Sequence, residues 1–243
     1  QFAITGRFGW LHRPSLGDPG GTFKRSYPTT ASLFPDEPAF TEQQPNYLHG
    51  ETAFTLDTRN SRSHPVRGGV YRAAWSMYSD RDAGAYSFRR YEAEGEHFLP
   101  TMNERLVFAA HGWFVGTETG PNETVPIYML PSLGGPTTLR GYSSFRFHDR
   151  NLLVMNIEAR LAVLTHVDAA AFLDAGNVAA RVADLDLAKR SYGVGLRLHT
   201  DRATFGRLDI AHSVEGWKFV LQTNDPLHLA RLSRRLAAIP FAP

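Results

Sequence analysis

The chain has no cysteine, no long hydrophobic run and almost no net charge. With no cysteine among 243 residues, a disulfide framework and a thiolate metal site are excluded, whereas an oxidising periplasm stays compatible. No stretch approaches the roughly 18 consecutive apolar residues of a membrane-spanning helix, so a helical membrane protein is excluded. A net charge of +2 does not indicate nucleic acid as a partner.

Motifs of known catalytic and metal sites are also missing from the sequence. The 10 histidines are scattered, and neither His-Glu-x-x-His nor Gly-x-Ser-x-Gly occurs. The acidic series Glu92, Glu94 and Glu96 has the spacing for acid–base chemistry, but a spacing of two is equally that of a polar strand face. We therefore predict no enzyme activity, no catalytic residue, no metal site and no cofactor.

What the sequence does contain is alternation of apolar and polar residues. Hydrophobic residues make up 42% of the chain, which is ordinary for a soluble protein. The value is also compatible with a transmembrane β-barrel, whose strands need only about 9 to 11 residues with alternate positions apolar. About ten segments are predicted to be strands: Phe2–Leu11, His49–Arg59, Gly69–Ser79, Tyr86–Leu99, Arg105–Gly116, Leu152–Leu164, Val167–Val178, Tyr192–Thr200, Phe205–Ser213 and Trp217–Thr223.

The charged side of these strands distinguishes two all-β folds. Arg90, Glu92, Glu94 and Glu96 alternate along one predicted strand, and such a face is too costly against lipid, so it is expected to line a wet lumen. A soluble β-sandwich also buries one face of each strand, and on alternation alone the two folds are equally compatible. The barrel is favoured because no helices are predicted that would cover the aromatic and aliphatic faces.

The segment from Leu130 to Gly176 carries the most specific pattern. It contains Gly134-Gly135-Pro136-Thr137-Thr138-Leu139-Arg140-Gly141-Tyr142, followed by a strand with Glu158 and then by Phe172-Leu173-Asp174-Ala175-Gly176. Strand alternation turns Glu158 and Asp174 to the polar side. Two carboxylates are therefore expected to face inward near one loop arginine.

This pattern resembles the BamA/TamA-like outer-membrane assembly proteins, also called the bacterial surface antigen family. In that family a Gly-Gly pair precedes a Val/Leu-Arg-Gly-Phe/Tyr tetrad at the tip of a long extracellular loop that folds back into the barrel. Two further family elements are present in this sequence. One is Asp57-Thr58-Arg59 followed by Pro65-Val66-Arg67-Gly68. The other is Tyr192-Gly193-Val194-Gly195-Leu196-Arg197 followed by Gly206-Arg207-Leu208-Asp209. The resemblance covers roughly residues 48 to 223.

The resemblance implies a transmembrane antiparallel up-and-down β-barrel in the outer membrane of a diderm, Gram-negative-type bacterium. Residues 1–223 are expected to form the C-terminal part of a sixteen-stranded barrel, with a long extracellular loop at 13–46 and a lumen-inserted loop at 117–150. The basic tail 224–243 departs from the family; Leu229, Leu232, Leu236 and Ile239 would share one face of a helix, and a disordered tail is the alternative.

The function that the resemblance implies is insertion, assembly or translocation of outer-membrane proteins or lipids, without catalysis. Its expected partners are outer-membrane lipid, client outer-membrane or secreted proteins, and periplasmic accessory proteins. The alternative is an outer-membrane channel or secretion pore gated by the inserted loop. Both functions use the same predicted barrel.

The site implied by the resemblance is a loop anchor in which the arginine fork bridges two lumenal carboxylates. A solvated loop arginine and ordinary turn glycines are the plainer alternatives. The anchor residues are Leu139, Arg140, Gly141, Tyr142, Glu158, Asp174 and Gly176, and the loop glycines are Gly134 and Gly135.

Overall fold

The computed structural model describes residues 1–12, 45–62, 64–200 and 204–222. The predicted tail at 224–243 lies outside these residues, and so does the predicted 13–46 loop apart from Pro45 and Asn46. In the described part of the chain, no helix has both the length and the apolar character needed to cross a membrane.

Ten long strands form one antiparallel sheet, as the alternation predicted. Its order is β1-β2-β3-β4-β5-β8-β9-β10-β11-β12, so each long strand pairs with the next long strand along the chain. The strands are β1 (Phe2–His12), β2 (Asn46–Asp57), β3 (Gly68–Asp80), β4 (Phe88–Thr101), β5 (Leu106–Thr119), β6 (Ser132–Leu133), β7 (Phe147–His148), β8 (Asn151–Leu164), β9 (Val167–Ala179), β10 (Lys189–His199), β11 (Thr204–Ser213) and β12 (Gly216–Gln222).

The remaining elements lie in the connections and were not predicted. The two-residue strands β6 and β7 pair within the segment between β5 and β8, and short 3-10 helices occur at Ile127–Met129 and Val182–Asp184. Elements of two or three residues are too short to have a detectable period, which is why the sequence gives no sign of them. The predicted loop 117–150 also starts later, at residue 120, because β5 continues to Thr119.

The outward face of the sheet is apolar and exposed. Trp75, Met155 and Ile157 have 40%, 43% and 50% of their surface accessible, and they stand at outward positions of alternating strands. The same face carries further large exposed side chains on several strands: Phe54, Tyr71, Phe108, Leu161, Leu173, Val194, Leu196, Leu208, Ile210 and Phe219. A continuous apolar exterior of this size is what a bilayer covers, and it confirms the predicted transmembrane face.

The inward face is polar, buried and internally paired. Arg72 donates to Glu51 at 2.9 Å and to Glu92 at 3.4 Å, so one guanidinium links β2, β3 and β4. Trp113 on β5 donates its indole N–H to Glu92 at 2.9 Å. Charges are thus neutralised between neighbouring strands, which a shielded interior requires.

The histidine of β5 continues this network towards the centre of the sheet. His111 lies with Nε2 3.1 Å from a Glu94 oxygen and Nδ1 2.8 Å from the Asn156 side-chain oxygen. The imidazole therefore joins β4 to β8, and its role is that of a paired interior residue.

The lipid-facing assignment is tested by cysteine labelling at Leu153, Met155, Ile157 and Trp75. A water-soluble maleimide added to opened outer membranes should label these four positions slowly, because they face hydrocarbon, while cysteine at Thr165 in the exposed turn after β8 should react quickly. Equal labelling at all five positions would contradict the assignment.

Met155→Arg tests the same face energetically. An arginine near the middle of a lipid-facing strand costs about 2 to 4 kcal/mol in barrels of this kind, so folded protein in the outer membrane should fall sharply. Met155→Leu is the matched control and should assemble normally, and equal folded yields for both variants would place Met155 away from lipid.

Candidate functional site

The segment between β5 and β8, residues 120–150, is called the β5–β8 loop here. Its central part lies on the inward face of the sheet, where Leu133 and Leu139 are completely buried. Around them pack apolar side chains from β5, β8 and the loop itself: Trp113, Val115, Tyr142, Leu152 and Val154. An apolar contact therefore holds the loop against the otherwise polar interior.

Two consecutive glycines start the turn that carries the arginine. Gly134 and Gly135 have φ angles of 111° and 95°, in the region that favours glycine. The N–H of Gly135 lies 3.1 Å from the carbonyl oxygen of Leu139 and 3.2 Å from that of Tyr142, and the N–H of Gly134 donates to the Thr138 hydroxyl at 2.9 Å. The turn closes on itself and presents Arg140 towards the sheet.

Arg140 reaches carboxylates on two adjacent strands. Its Nη2 and Nε donate to the two oxygens of Asp174 at 2.6 and 2.9 Å, and its Nη1 donates to Glu158 at 2.6 Å. The backbone N–H of Arg140 adds a bond of 3.0 Å to Asp174. Only 2% of the arginine is exposed and neither acid is, so these are shielded, charge-assisted bonds in fork geometry.

The arginine also lies flat against an aromatic ring. Its guanidinium carbon is 3.4 Å from the ring centre of Phe172, two residues before Asp174 on the same face of β9. Cation–π contact of this kind gains strength when water is excluded. Phe172 is thus the platform under Arg140. It belongs to the Phe172–Gly176 segment that the sequence singled out, but it was not among the predicted anchor residues.

The pKa of Arg140 follows from this setting. Burial lowers it, because the charged form loses hydration, but the carboxylates of Asp174 and Glu158 outweigh that effect and raise the pKa above its ordinary value. The guanidinium therefore keeps its positive charge despite its burial.

The carboxylate of Glu158 is shared with two further arginines. Arg160 donates its Nε to Glu158 at 2.9 Å, and Arg197 on β10 donates its Nη2 at 2.6 Å. Arg197 continues to Asp209 on β11 at 2.5 Å through Nη1. One buried carboxylate thereby connects the loop to β8 and, through Arg197, to β10 and β11.

Arg207 completes the cluster from β11. Its Nε bonds Asp209 at 2.5 Å, and its Nη2 donates to the loop carbonyl of Pro136 at 2.9 Å. The ionic cluster is defined by four arginines and three acids: Arg140, Arg160, Arg197, Arg207, Glu158, Asp174 and Asp209.

The backbone after Arg140 fits against β10 and β11. A methyl group added at Gly141 would lie 2.7 Å from Cβ of Ser191 and 2.9 Å from Cβ of Ser213, closer than carbon atoms approach. Ser213 donates its hydroxyl to the carbonyl of Gly141 at 2.6 Å. Gly141 is therefore required by close approach of the two backbones.

The predicted residues of the loop and of β8 and β9 come together in one place. Leu139 and Tyr142 belong to the apolar contact, and Gly176 lies where a methyl group would meet the carbonyl oxygen of Leu153 at 2.6 Å and the side chain of Leu133 at 3.4 Å. Several other residues of the site were not predicted from the sequence. They occupy alternate positions on the polar faces of their strands, and this alternation is the signal that could have found them. They are Asn156, Arg160, Ser191, Arg197, Arg207, Asp209 and Ser213.

An antiparallel sheet with an apolar exterior, a charged interior and a loop fastened to that interior has the architecture of an outer-membrane β-barrel. Residues 39–216 match the family model described as the Omp85 superfamily domain. The chain belongs to the Omp85 superfamily, whose members lie in the outer membrane, and this confirms the predicted family and location.

Among solved structures, the fold resembles that of BamA from Haemophilus ducreyi lacking POTRA domains 1–3. The two share 15% sequence identity with a TM-score of 0.61, over 73% of this chain and 42% of the BamA chain. This chain thus spans less than half the length of that structure, and the likeness concerns the fold. A comparison with curated proteins gave no match.

Arg140→Ala is expected to loosen the loop. Breaking a fully buried ion pair costs about 3 to 5 kcal/mol, and we expect the lower end because Asp174 keeps donors from Asn156 at 2.9 Å and Ser191 at 3.2 Å. The folded band in semi-native electrophoresis should be lost at a lower temperature and residues 120–150 should be cleaved faster by protease. Arg140→Lys should rescue partly, because lysine lacks the fork.

Arg146→Ala is the matched control for that prediction. Arg146 lies in the same loop and bonds Glu215 at 2.7 Å, but its side chain is 55% exposed, so its removal should change stability little. If the two alanine variants unfold at the same temperature, the buried contacts of Arg140 stabilise the protein no more than the exposed ion pair of Arg146 does.

Gly193→Ala tests the aromatic platform. Gly193 on β10 faces Phe172 across the strand pair, and an added methyl group would lie 2.6 Å from that ring and 2.1 Å from the Ile210 carbonyl oxygen. We expect Phe172 to be displaced and the thermal stability of the folded band to fall, as with Arg140→Ala. Gly112→Ala, where the nearest atom is 3.6 Å away, should be neutral, and equal stability of the two variants would refute the packing argument.

Proposed function

We propose that the chain is the C-terminal part of an outer-membrane barrel that inserts, assembles or translocates outer-membrane proteins or lipids without catalysis. In this proposal, residues 120–150 are a loop inserted into the lumen, and Arg140 with Glu158 and Asp174 is its anchor. The observation that carries the proposal is the shielded fork of Arg140 on two acids from adjacent strands, 2.6 Å from each.

The anchored loop supports an assembly role because of the strands it joins. Its contacts extend from β8 and β9 through the arginine to β10 and β11, where Ser213 and Arg207 bond the loop backbone. Four successive strands beside the edge strand β12 are thus bonded to one loop. A wall braced in this way next to an edge is a suitable template for pairing with an incoming strand.

The edge strand β12 supplies the second support. It has seven residues, and within the described residues its partner is β11. Its outward side chains Trp217, Phe219 and Leu221 are all exposed. An open edge cannot face hydrocarbon, so β12 must pair with another strand, either of the same barrel or of a client.

The proposed chemistry is strand exchange driven by pairing and burial. Backbone hydrogen bonds from a client strand would replace those at the edge, and no covalent step is involved. The proposed partners are client outer-membrane or secreted proteins, outer-membrane lipid and periplasmic accessory proteins.

A channel or secretion pore gated by the loop is the second candidate. It is favoured by the position of the β5–β8 loop on the polar inner face, where a plug would lie. A pore predicts that Arg140→Ala raises ion conductance in planar bilayers severalfold while client assembly proceeds normally. If the chain is an assembly factor, Arg140→Ala should impair client assembly and leave ion conductance unchanged.

Site-specific photo-crosslinking tests the assembly role on the full-length protein in cells. A photoreactive phenylalanine analogue at Phe219 on β12 should crosslink to a newly synthesised, pulse-labelled outer-membrane barrel protein during its assembly. The same analogue at Ile157, which is also outward and exposed but lies in the middle of the sheet, is the control and should not crosslink. Equal crosslinking at both positions, or none at Phe219, would contradict strand addition at this edge.

A further inference from the structure

The first half of the β5–β8 loop packs on β2, β3 and β4, away from the strands that hold Arg140. Four aromatic side chains are buried there on the inward face and are called the aromatic cluster: Tyr47, Tyr78, Tyr86 and Phe88. The rings of Tyr78 and Phe88 stack with their centres 4.4 Å apart, and Tyr47 meets Tyr78 edge-on at 5.8 Å. Three adjacent strands thus provide one aromatic surface.

The loop buries two of its side chains in this cluster. Val125 and Met129 are each only 6% exposed and pack among the aromatic rings. The backbone is held as well, because the N–H of Thr124 donates to the carbonyl oxygen of Ala85, in the connection between β3 and β4, at 2.9 Å. Apolar burial and a backbone hydrogen bond therefore fasten residues 124–130 to this part of the sheet.

Arg90 on β4 adds a charged contact at the same place. Its Nη2 donates to the carbonyl oxygen of Met129 at 2.6 Å. Its guanidinium carbon lies 5.3 Å from the ring centre of Phe88 and 6.0 Å from that of Tyr78, within the range of cation–π attraction. As with Arg140, a guanidinium beside an aromatic ring joins the loop to a strand, but here the arginine belongs to the strand and the acceptor to the loop.

We infer that Arg90 and the aromatic cluster form a second anchor of the β5–β8 loop, independent of Arg140. The two anchors are close together along the chain, since Leu130 packs against the aromatic cluster and Leu133 belongs to the apolar contact beneath the Arg140 turn. They use different strands. The second anchor holds to β2, β3 and β4, whereas the contacts of the Arg140 turn lie on β5 and on β8 to β11.

A solvated arginine that lines the lumen is the plainer role for Arg90. Such a side chain would keep its donors in water, whereas Nη2 is bonded to the loop backbone and the guanidinium lies beside two rings. The burial of Val125 and Met129 marks the same place without reference to the arginine.

Two anchors on separate strands make the loop a hinged strap. When the contacts of Arg140 open, residues 131–142 can leave the inward face while residues 124–130 stay on β2 to β4, so the pivot lies at Pro131. A loop with one anchor would leave as a whole. The inference concerns the movement of the loop and applies equally to an assembly factor and to a pore.

Hydrogen exchange followed by mass spectrometry tests the second anchor on the full-length protein in detergent. In Arg90→Ala, the bonded amides of Thr124, Met129 and Leu130 should exchange about tenfold faster, while residues 134–142 keep the wild-type rate. Arg140→Ala should instead speed exchange in residues 134–142 and leave residues 124–130 unchanged. Arg89→Ala is the matched control, since Arg89 is exposed on the outward face of β4, and it should change neither segment.

A variant on the loop side keeps the test decisive if Arg90→Ala fails to fold. Met129→Ala leaves every strand residue in place and should also speed exchange in residues 124–130 alone, because it removes a side chain buried in the aromatic cluster. Unchanged exchange of residues 124–130 in Met129→Ala and in any folded Arg90→Ala protein would overturn the inference. Equal acceleration of both segments by Arg140→Ala would overturn it too, because the loop would then open as one unit.

Discussion

The pairing of buried charges is the constraint on which the rest of the structure depends. A sheet that presents its apolar side chains outward must place its charged residues inward, and there each charge needs a partner because water is limited. Arg72 with Glu51 and Glu92 satisfies this requirement near one edge, and the ionic cluster around Glu158 satisfies it near the other. Arg140 is the member of that cluster that comes from the loop.

The sequence predicted the strands and the loop arginine for different physical reasons. Apolar and polar residues alternate along a strand, and this period of two is visible in a single sequence. The number of strands and their two faces could therefore be predicted, as in β8. Arg140, Glu158 and Asp174 were singled out because they stand at motif positions of the family that the sequence resembles. Arg197 and Asp209 were missed as partners of the cluster, because their contacts depend on which strands become neighbours after folding.

The contact between the His64 ring and the Thr204 hydroxyl, 3.0 Å apart, illustrates the limit of sequence reasoning most clearly. His64 and Thr204 are separated by 140 positions, and no local pattern connects them. They meet only because the sheet curls enough to bring the β2–β3 turn to the start of β11. Motifs of neighbouring residues carry no information about side chains that come from separate connections and strand ends.

The composition of the ionic cluster has a consequence for the order of events in folding. Without Arg140, the strands alone contribute three arginines and three acids, and Asp174 keeps hydrogen bonds from Asn156 and Ser191. The barrel wall is therefore electrically neutral at this place before the loop arrives. Docking of the loop can therefore follow pairing of the strands, since Glu158 and Asp209 already have arginine partners from the strands and the loop then brings Asp174 its partner Arg140.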